Sequence, residues 1–400
     1  MDVQFSTQSV HAGEEKHKPY GALATPIVQT STYAFDDTAE ILEYMRHKAA
    51  RDSRAREEYA RYSNPTQTVA ERKLAALEGG ERALLFASGM CAITTTLLTL
   101  LSSGDHAVFL HPCYRRTKEF AREYLPRLGI ETTTLPIEDA NALERVIRPN
   151  TRLVFAETPT NPHLRIVDLE TVAGVAEANG LIFAVDATFA TLINLRALDH
   201  GVDIVLHSAT KYLGGHNDLL AGAVIGGEAL LAPIEAARGV FGGVISPHSA
   251  YLLVRGLKTL DLRVRRQNEN GERIARFLEA HPAVRRVYYP GLPSHPEHTI
   301  AKRLMGGFGG VVSFEVEGTL DDASRLVDAL RLPYIGPTFG GVESIVEQQS
   351  LFISLDPEAR RDAGIADTLV RLALGIEDAS DLIADLDQAL SQLVDRSELT

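Results

Sequence analysis

The stretch His207-Ser-Ala-Thr-Lys-Tyr-Leu-Gly-Gly-His216 sets one amine, Lys211, between two hydroxyl side chains, Ser208 and Thr210, and two glycines, Gly214 and Gly215. The run before it, Val202-Asp-Ile-Val-Leu206, is β-branched and apolar, as in a buried parallel strand. Lys211 is therefore expected at the carboxyl end of a strand, where ligands of open α/β sheets collect. Hydroxyls there can bond a phosphate, and glycines let backbone approach it without a Cβ in the way. A surface lysine in a turn is the competing reading, since Lys followed by Gly-Gly also ends ordinary elements.

A second apolar strand, Leu181-Ile-Phe-Ala-Val-Asp-Ala-Thr188, ends in a carboxylate. A Schiff-base lysine paired with an aspartate is what pyridoxal phosphate requires, because its pyridine ring draws electrons only while the ring nitrogen stays protonated. Asp186 fits that part, and a pyridinium would meet a carboxylate that is otherwise costly to bury. A helix cap or turn aspartate is the alternative. A phosphate anchor follows from Phe86-Ala-Ser88-Gly89-Met90-Cys91, where a strand runs into an apolar helical stretch. The amides after Ser88 would then stand at a helix N-terminus, which favours anions, although a turn without ligand reads the same way. Other cofactor motifs fail. No Gly-x-x-x-x-Gly-Lys-Ser/Thr occurs, and Gly306-Gly-Phe-Gly-Gly310 precedes a strand where a dinucleotide fingerprint follows one. His295-Pro-Glu-His298 lacks zinc-site spacing, so no metal is expected.

The elements that must position these residues alternate. Ala83–Ser88, His106–His111, Arg152–Glu157, Leu181–Asp186, Asp203–His207 and Ala221–Gly226 read as strands with amphipathic stretches between several of them. That alternation predicts a mostly parallel sheet covered on both faces. Thr68-Val-Ala-Glu71 reads as a capping box opening a helix over 70–77, stopped by Gly79-Gly80. Residues 1–60 show little periodicity and a charged run, Arg46 to Glu58, and are expected to form an extended arm with a short helix. A long helix is expected over 249–277, then a strand Val311–Val316 and helices near 323–330 and 379–393.

At 400 residues the chain exceeds the roughly 250–300 at which single cores stop growing, so one large and one smaller domain are expected. The boundaries are read as 1–60 arm, 61–255 cofactor-binding domain and 256–400 C-terminal domain. A formal net charge of -13 argues against nucleic acid and anionic membranes as partners, leaving a small molecule. No export signal or membrane span is evident, and two cysteines, Cys91 and Cys113, suit a reducing cytoplasm.

With Lys211, Asp186 and Ser88 in place, the chain resembles, almost end to end, the Cys/Met metabolism family of fold type I pyridoxal phosphate enzymes, which holds cystathionine γ-synthases and γ-lyases and methionine γ-lyases. Cys113-Tyr-Arg-Arg-Thr117, Pro337-Thr-Phe-Gly-Gly-Val-Glu-Ser-Ile345 and Gly291-Leu-Pro-Ser-His-Pro-Glu-His298 carry the likeness toward the plant-type cystathionine γ-synthase branch. The resemblance implies an α/β fold with a mostly parallel seven-stranded sheet and a smaller C-terminal α/β domain. It implies cofactor contacts from Ser88, Gly89, Met90, Asn161, Asp186, Thr188, Ser208 and Thr210, with Tyr114 stacked on the ring. Tyr59 and Arg61 would reach the phosphate from a neighbouring subunit, in a homotetramer built as a dimer of dimers with shared sites. Arg371 would clamp the substrate α-carboxylate in bidentate fashion, with Thr338 beside the substrate.

Lys211, Tyr114 and Tyr59 are the implied catalytic residues. The pair Arg115-Arg116 replaces the Gly-Gly or Gly-Cys of many members, and is expected to meet an anionic γ-substituent. Pro337 stands where some γ-lyases carry an acid, and Ala187, Ser63 and Ala373 also depart from common family residues. The expected reaction is γ-replacement on an activated L-homoserine ester by a thiol such as cysteine, within methionine biosynthesis by transsulfuration. α,γ-Elimination by a cystathionine or methionine γ-lyase-like enzyme, or by a relative acting on an unusual amino acid, is the alternative. A cofactor-binding regulatory protein is the third.

Overall fold

The computed structural model describes residues 3–50 and 56–397. Two sheets organise them. The first contains β1 (Arg82–Phe86), β2 (His106–His111), β3 (Glu131–Pro136), β4 (Thr151–Glu157), β5 (Ile182–Asp186), β6 (Ile204–His207) and β7 (Gly222–Gly226), in the order β1-β7-β6-β5-β4-β2-β3. Only β7 runs against its neighbours, so the sheet is mostly parallel as expected. Its central strands are buried along their whole length but for Ile182 at the start of β5, which is why they read as unbroken apolar runs. Edge strand β3, Glu131-Thr-Thr-Thr-Leu-Pro136, went unread in sequence because its side chains are mostly partly or fully exposed and show no apolar pattern.

The second sheet contains β8 (Val284–Tyr288), β9 (Val311–Val316), β10 (Tyr334–Ile335), β11 (Ile345–Gln348) and β12 (Leu369–Ala373), in the order β10-β11-β12-β9-β8. It is antiparallel apart from the short β10–β11 pair. The expected strand over 311–316 is β9, and the helices expected after it span Leu320–Ala329 and Ala379–Ser397.

Three expectations need correction. The helix expected from Thr68 starts earlier, at Pro65, where Asn64 caps it by accepting from the Thr66 amide at 2.9 Å. Pro at the first helical position suits that start, and Glu71 instead accepts from the Leu85 amide at 2.9 Å and from Arg238 at 2.6 Å. Gly79 ends the helix as read, with φ 82°. The long helix over 249–277 is two helices, Pro247–Leu257 and Leu260–Ala280, broken at Lys258–Thr259, where the Arg263 guanidinium donates to the Gly256 carbonyl at 2.7 Å. The amino-terminal segment holds two α-helices, Phe5–His11 and Thr38–Ala49. Part of the charged run 46–58 lies outside the described residues. The first of these helices is pinned by Lys73, whose fully buried Nζ donates to the Ser9 and Val10 carbonyls, each at 3.0 Å.

Closeness at the start of β7 tests this packing. A Cβ on Gly222 would lie 2.1 Å from the Ser88 carbonyl oxygen and 2.9 Å from the Gly89 nitrogen. Gly222→Ala should cost about 1–3 kcal/mol in a urea melt of the apoprotein, through backbone overpacking at the 88–89 turn. An unchanged midpoint would show that the turn moves freely.

Candidate active site

At the carboxyl ends of β4, β5 and β6 a cavity of about 860 Å³ opens against the second sheet. Ser88, Gly89, Met90, Tyr114, Arg115, Asn161, Asp186, Thr188, Ser208, Thr210, Lys211 and Arg371 all line it. They come from both sheets and from the loops after five strands, and the predicted strand-end placement explains their convergence.

Asp186 is the last residue of β5 and stands in register beside Glu157, the last of β4. Both carboxyls are buried, and burial pushes each above the ordinary carboxylate range, with Asp186 adding to the push on Glu157. Glu157 is occupied: it accepts from the Tyr114 amide at 2.5 Å and the Asn161 amide at 3.2 Å. Asp186 Oδ1 accepts from the Thr188 amide at 3.0 Å and from its hydroxyl at 2.5 Å. Oδ2 has no hydrogen-bond partner among the described residues. Two adjacent buried carboxyls call for a cationic donor, which the protonated ring nitrogen of pyridoxal phosphate would supply.

The phosphate end also fits. Ser88 caps the helix Gly89–Leu100, its Oγ accepting from the Cys91 amide at 3.1 Å, so the first amides of that helix remain for an anion. A Cβ on Gly89 would sit 2.8 Å from Ser208 Cβ, which keeps the Ser208 hydroxyl close to those amides. Gly89 and Gly222 are thus the glycines that shape the cup. Gly214 and Gly215 do not: a Cβ on Gly215 would collide with the Arg263 guanidinium, 2.0 Å away, and one on Gly214 would press on the Ala209 carbonyl, 3.0 Å away, and on Leu219. The Thr210 hydroxyl is held by Ala221, donating to its carbonyl at 3.2 Å and accepting from its amide at 2.9 Å, which leaves Ser208 as the freer donor.

Lys211 Nζ donates to Thr338 Oγ1 at 2.7 Å and lies 5.1 Å from the centre of the Phe339 ring. Burial, and then Arg371, lower its pKa to about 8, with Glu347 opposing them. Arg371, in β12, is also buried; it donates to Asn161 Oδ1 at 2.9 Å and the Thr338 carbonyl at 3.3 Å, and contacts the Glu347 carboxylate. Tyr114 is part-exposed at the cavity wall.

Not every expected residue arrives. Arg116 does not line the cavity; it is half-exposed and paired with Glu119 at 2.5 Å, one turn along its own helix. Tyr59 and Arg61 of this chain line a separate recess with Gln67 and Ser246, and Arg61 stacks on Tyr62 and donates to the Gly239 carbonyl. Glu157, Glu347 and Phe339 were not assigned from sequence. The signal for the first two was an acid at or near the end of an apolar strand.

A mostly parallel sheet with a half-buried lysine, a facing carboxylate and an amide cup at its strand ends defines a fold type I pyridoxal phosphate enzyme. The model of the family of Cys/Met metabolism PLP-dependent enzymes matches residues 6–391, and the chain belongs to that family. It is 48% identical over 390 residues to cystathionine gamma-synthase 1, chloroplastic, of Nicotiana tabacum, covering 96% of this chain and 71% of the relative. It is 41% identical over 394 residues to L-methionine gamma-lyase of Fusobacterium nucleatum subsp. polymorphum, covering 97% and 98%. With cystathionine gamma-lyase of Bacillus subtilis it shares 40% over 394 residues, covering 98% and 100%. Membership in a family of enzymes sets aside the regulatory reading. No helix among the described residues is long and apolar enough to cross a membrane.

Since only the uncharged amine of Lys211 can attack an aldehyde, uptake of pyridoxal phosphate by the apoprotein should quicken about tenfold per pH unit below about 8 and level off above it. Stopped-flow growth of the yellow colour checks this. A midpoint near that of free lysine would mean that the site leaves the amine unperturbed.

Proposed function

We propose that the chain catalyses γ-replacement on an activated L-homoserine ester, with cysteine or another thiol as the incoming nucleophile. The higher identity to a cystathionine gamma-synthase than to the γ-lyases favours replacement, and one observation carries the amino-acid chemistry: Thr338 touches both Lys211, through its hydroxyl, and Arg371, through its carbonyl. A base and a carboxylate clamp separated by one residue match the Cα–H and the α-carboxylate of a single amino acid. Bound pyridoxal phosphate supplies the aldehyde that takes the substrate amine and the ring that draws off electrons. Lys211 Nζ would take the proton from Cα and give it up to the former aldehyde carbon, which frees it to take one from Cβ as the γ-substituent leaves with its bonding electrons; once the thiol has added at Cγ it would return a proton to Cβ and then one to Cα. Arg371 holds the α-carboxylate, and Asp186 meets the ring nitrogen. Ser208, Thr210 and the amides of Gly89 and Met90 hold the phosphate, while Asn161, Thr188 and Tyr114 orient the ring.

Tyr59 and Arg61 lie away from their own chain's cavity, which supports their service to a neighbouring subunit in a homotetramer with shared sites. The division into arm, cofactor domain (61–255) and C-terminal domain (256–400) is supported by the two separate sheets. Two unpaired cysteines support a cytoplasmic setting. α,γ-Elimination remains the second reading, supported by the γ-lyases among the relatives, which would need the same base and clamp.

Mass analysis of products from acetyl-, succinyl- and phospho-homoserine, with and without cysteine, decides between the two. Cystathionine formed with cysteine is expected; 2-oxobutyrate in equal yield with or without thiol overturns replacement. Arg115, exposed at the cavity wall with no ion pair among the described residues, should govern the ester. Arg115→Ala should raise KM about tenfold for the phosphate or succinyl ester and leave that for the acetyl ester within about twofold. Equal effects on all three would remove Arg115 from ester recognition.

A further inference from the structure

The Glu347 carboxylate has no part in the reaction as set out above, yet it touches the guanidinium that does. Glu347 and Arg371 are direct cross-strand partners in the β11–β12 ladder. Residues so placed point to the same face with their Cβ atoms in contact range, and here that face is the cavity wall. Their side chains are 7% and 4% exposed. Burial works against both charges, raising the pKa of Glu347 and lowering that of Arg371, and each is the other's chief compensation. Replacing such a pair with apolar residues of similar volume costs little stability or none. What an apolar pair cannot do is hold a guanidinium in one orientation.

The remaining contacts show which orientation that is. Nη1 is tied to Asn161 Oδ1 and Nη2 to the Thr338 carbonyl, both neutral acceptors, and Nη2 also meets Glu347. Nε is buried and has no hydrogen-bond partner among the described residues. Without Glu347 the only ionic tie among the described residues is gone, and none of their charges keeps the fork turned as it stands. We propose that Glu347 is a positioning residue that fixes the pose in which Arg371 accepts the substrate α-carboxylate, so that selection for a free α-carboxylate depends on Glu347 as well as on Arg371. The inference rests on the reading of Arg371 as the carboxylate clamp.

Binding of two ligands that lack a γ-leaving group tests it on the holoenzyme: L-2-aminobutyrate and propylamine, the same amine without its carboxylate, each titrated by the change in cofactor absorbance. The preference for the acid over the amine should fall about tenfold or more in Glu347→Gln, which keeps the side chain's size and loses its charge. A merely structural role would weaken both ligands together and leave that preference within about twofold of the wild type, which would overturn the inference. Arg371→Lys separates the two layers. If it preserves the preference, the clamp reading itself is wrong; if it abolishes the preference while Glu347→Gln does not, only the role of Glu347 falls. Should Glu347→Gln fail to fold, Glu347→Asp takes its place: withdrawing the charge by one methylene should lower the preference about threefold or more, and a smaller loss counts against the proposal.

Discussion

Everything at the carboxyl ends of the central strands answers to one constraint: a charge taken out of water must be met by its opposite. At its centre three acids meet two cationic side chains. Asp186 and Glu157 stand side by side on β5 and β4, and Arg371 and Lys211 face them across the cavity, Arg371 balanced by Glu347. Backbone amides and Thr188 take up much of the acidic side. What stays uncompensated is a carboxylate in want of a cation and an amine whose proton is loosely held, and an aldehyde-bearing pyridine completes both.

Each sheet brings half of that balance. The parallel sheet delivers acids and the lysine because every one of its parallel strands ends at the same edge, while the antiparallel sheet delivers Arg371 and Glu347 from paired strands running in opposite directions. Thr338, in the loop between β10 and β11, touches Lys211 and Arg371 at once. Loss of register in either sheet would therefore separate the base from the clamp before it disturbed either residue's own surroundings.

Strand ends were legible in the chain because β5 and β6 are buried on both faces and so read as continuous apolar runs stopped by a polar residue. Lys211 and Asp186 follow from those ends together with what pyridoxal phosphate requires, and Ser88 from the passage of β1 into a helix. Partnership across strands was not legible. Glu347 pairs with Arg371, and Glu157 lies beside Asp186, only through registers that no local pattern encodes. The glycines show the same limit. Gly215, close to the lysine in sequence, is taken up by Arg263 and Gly214 by Ala209 and Leu219, whereas the close approach to Ser88 is made by Gly222, from the strand after it. Arg116 differs from Arg115 only in which way its turn of helix faces, and a nearby Glu119 claims it.

Lys73 has one further implication. Its ammonium, fully buried, is solvated by two carbonyls from the end of the first helix, with Glu14 3.5 Å away. Peeling that helix off the body would exchange both oxygens for water, at about 0.5–1.5 kcal/mol net for each hydrogen bond, and would give up the apolar and ionic packing formed around the ammonium. The arm is thus moored at its root, and any swing toward another molecule has to pivot downstream of Glu14.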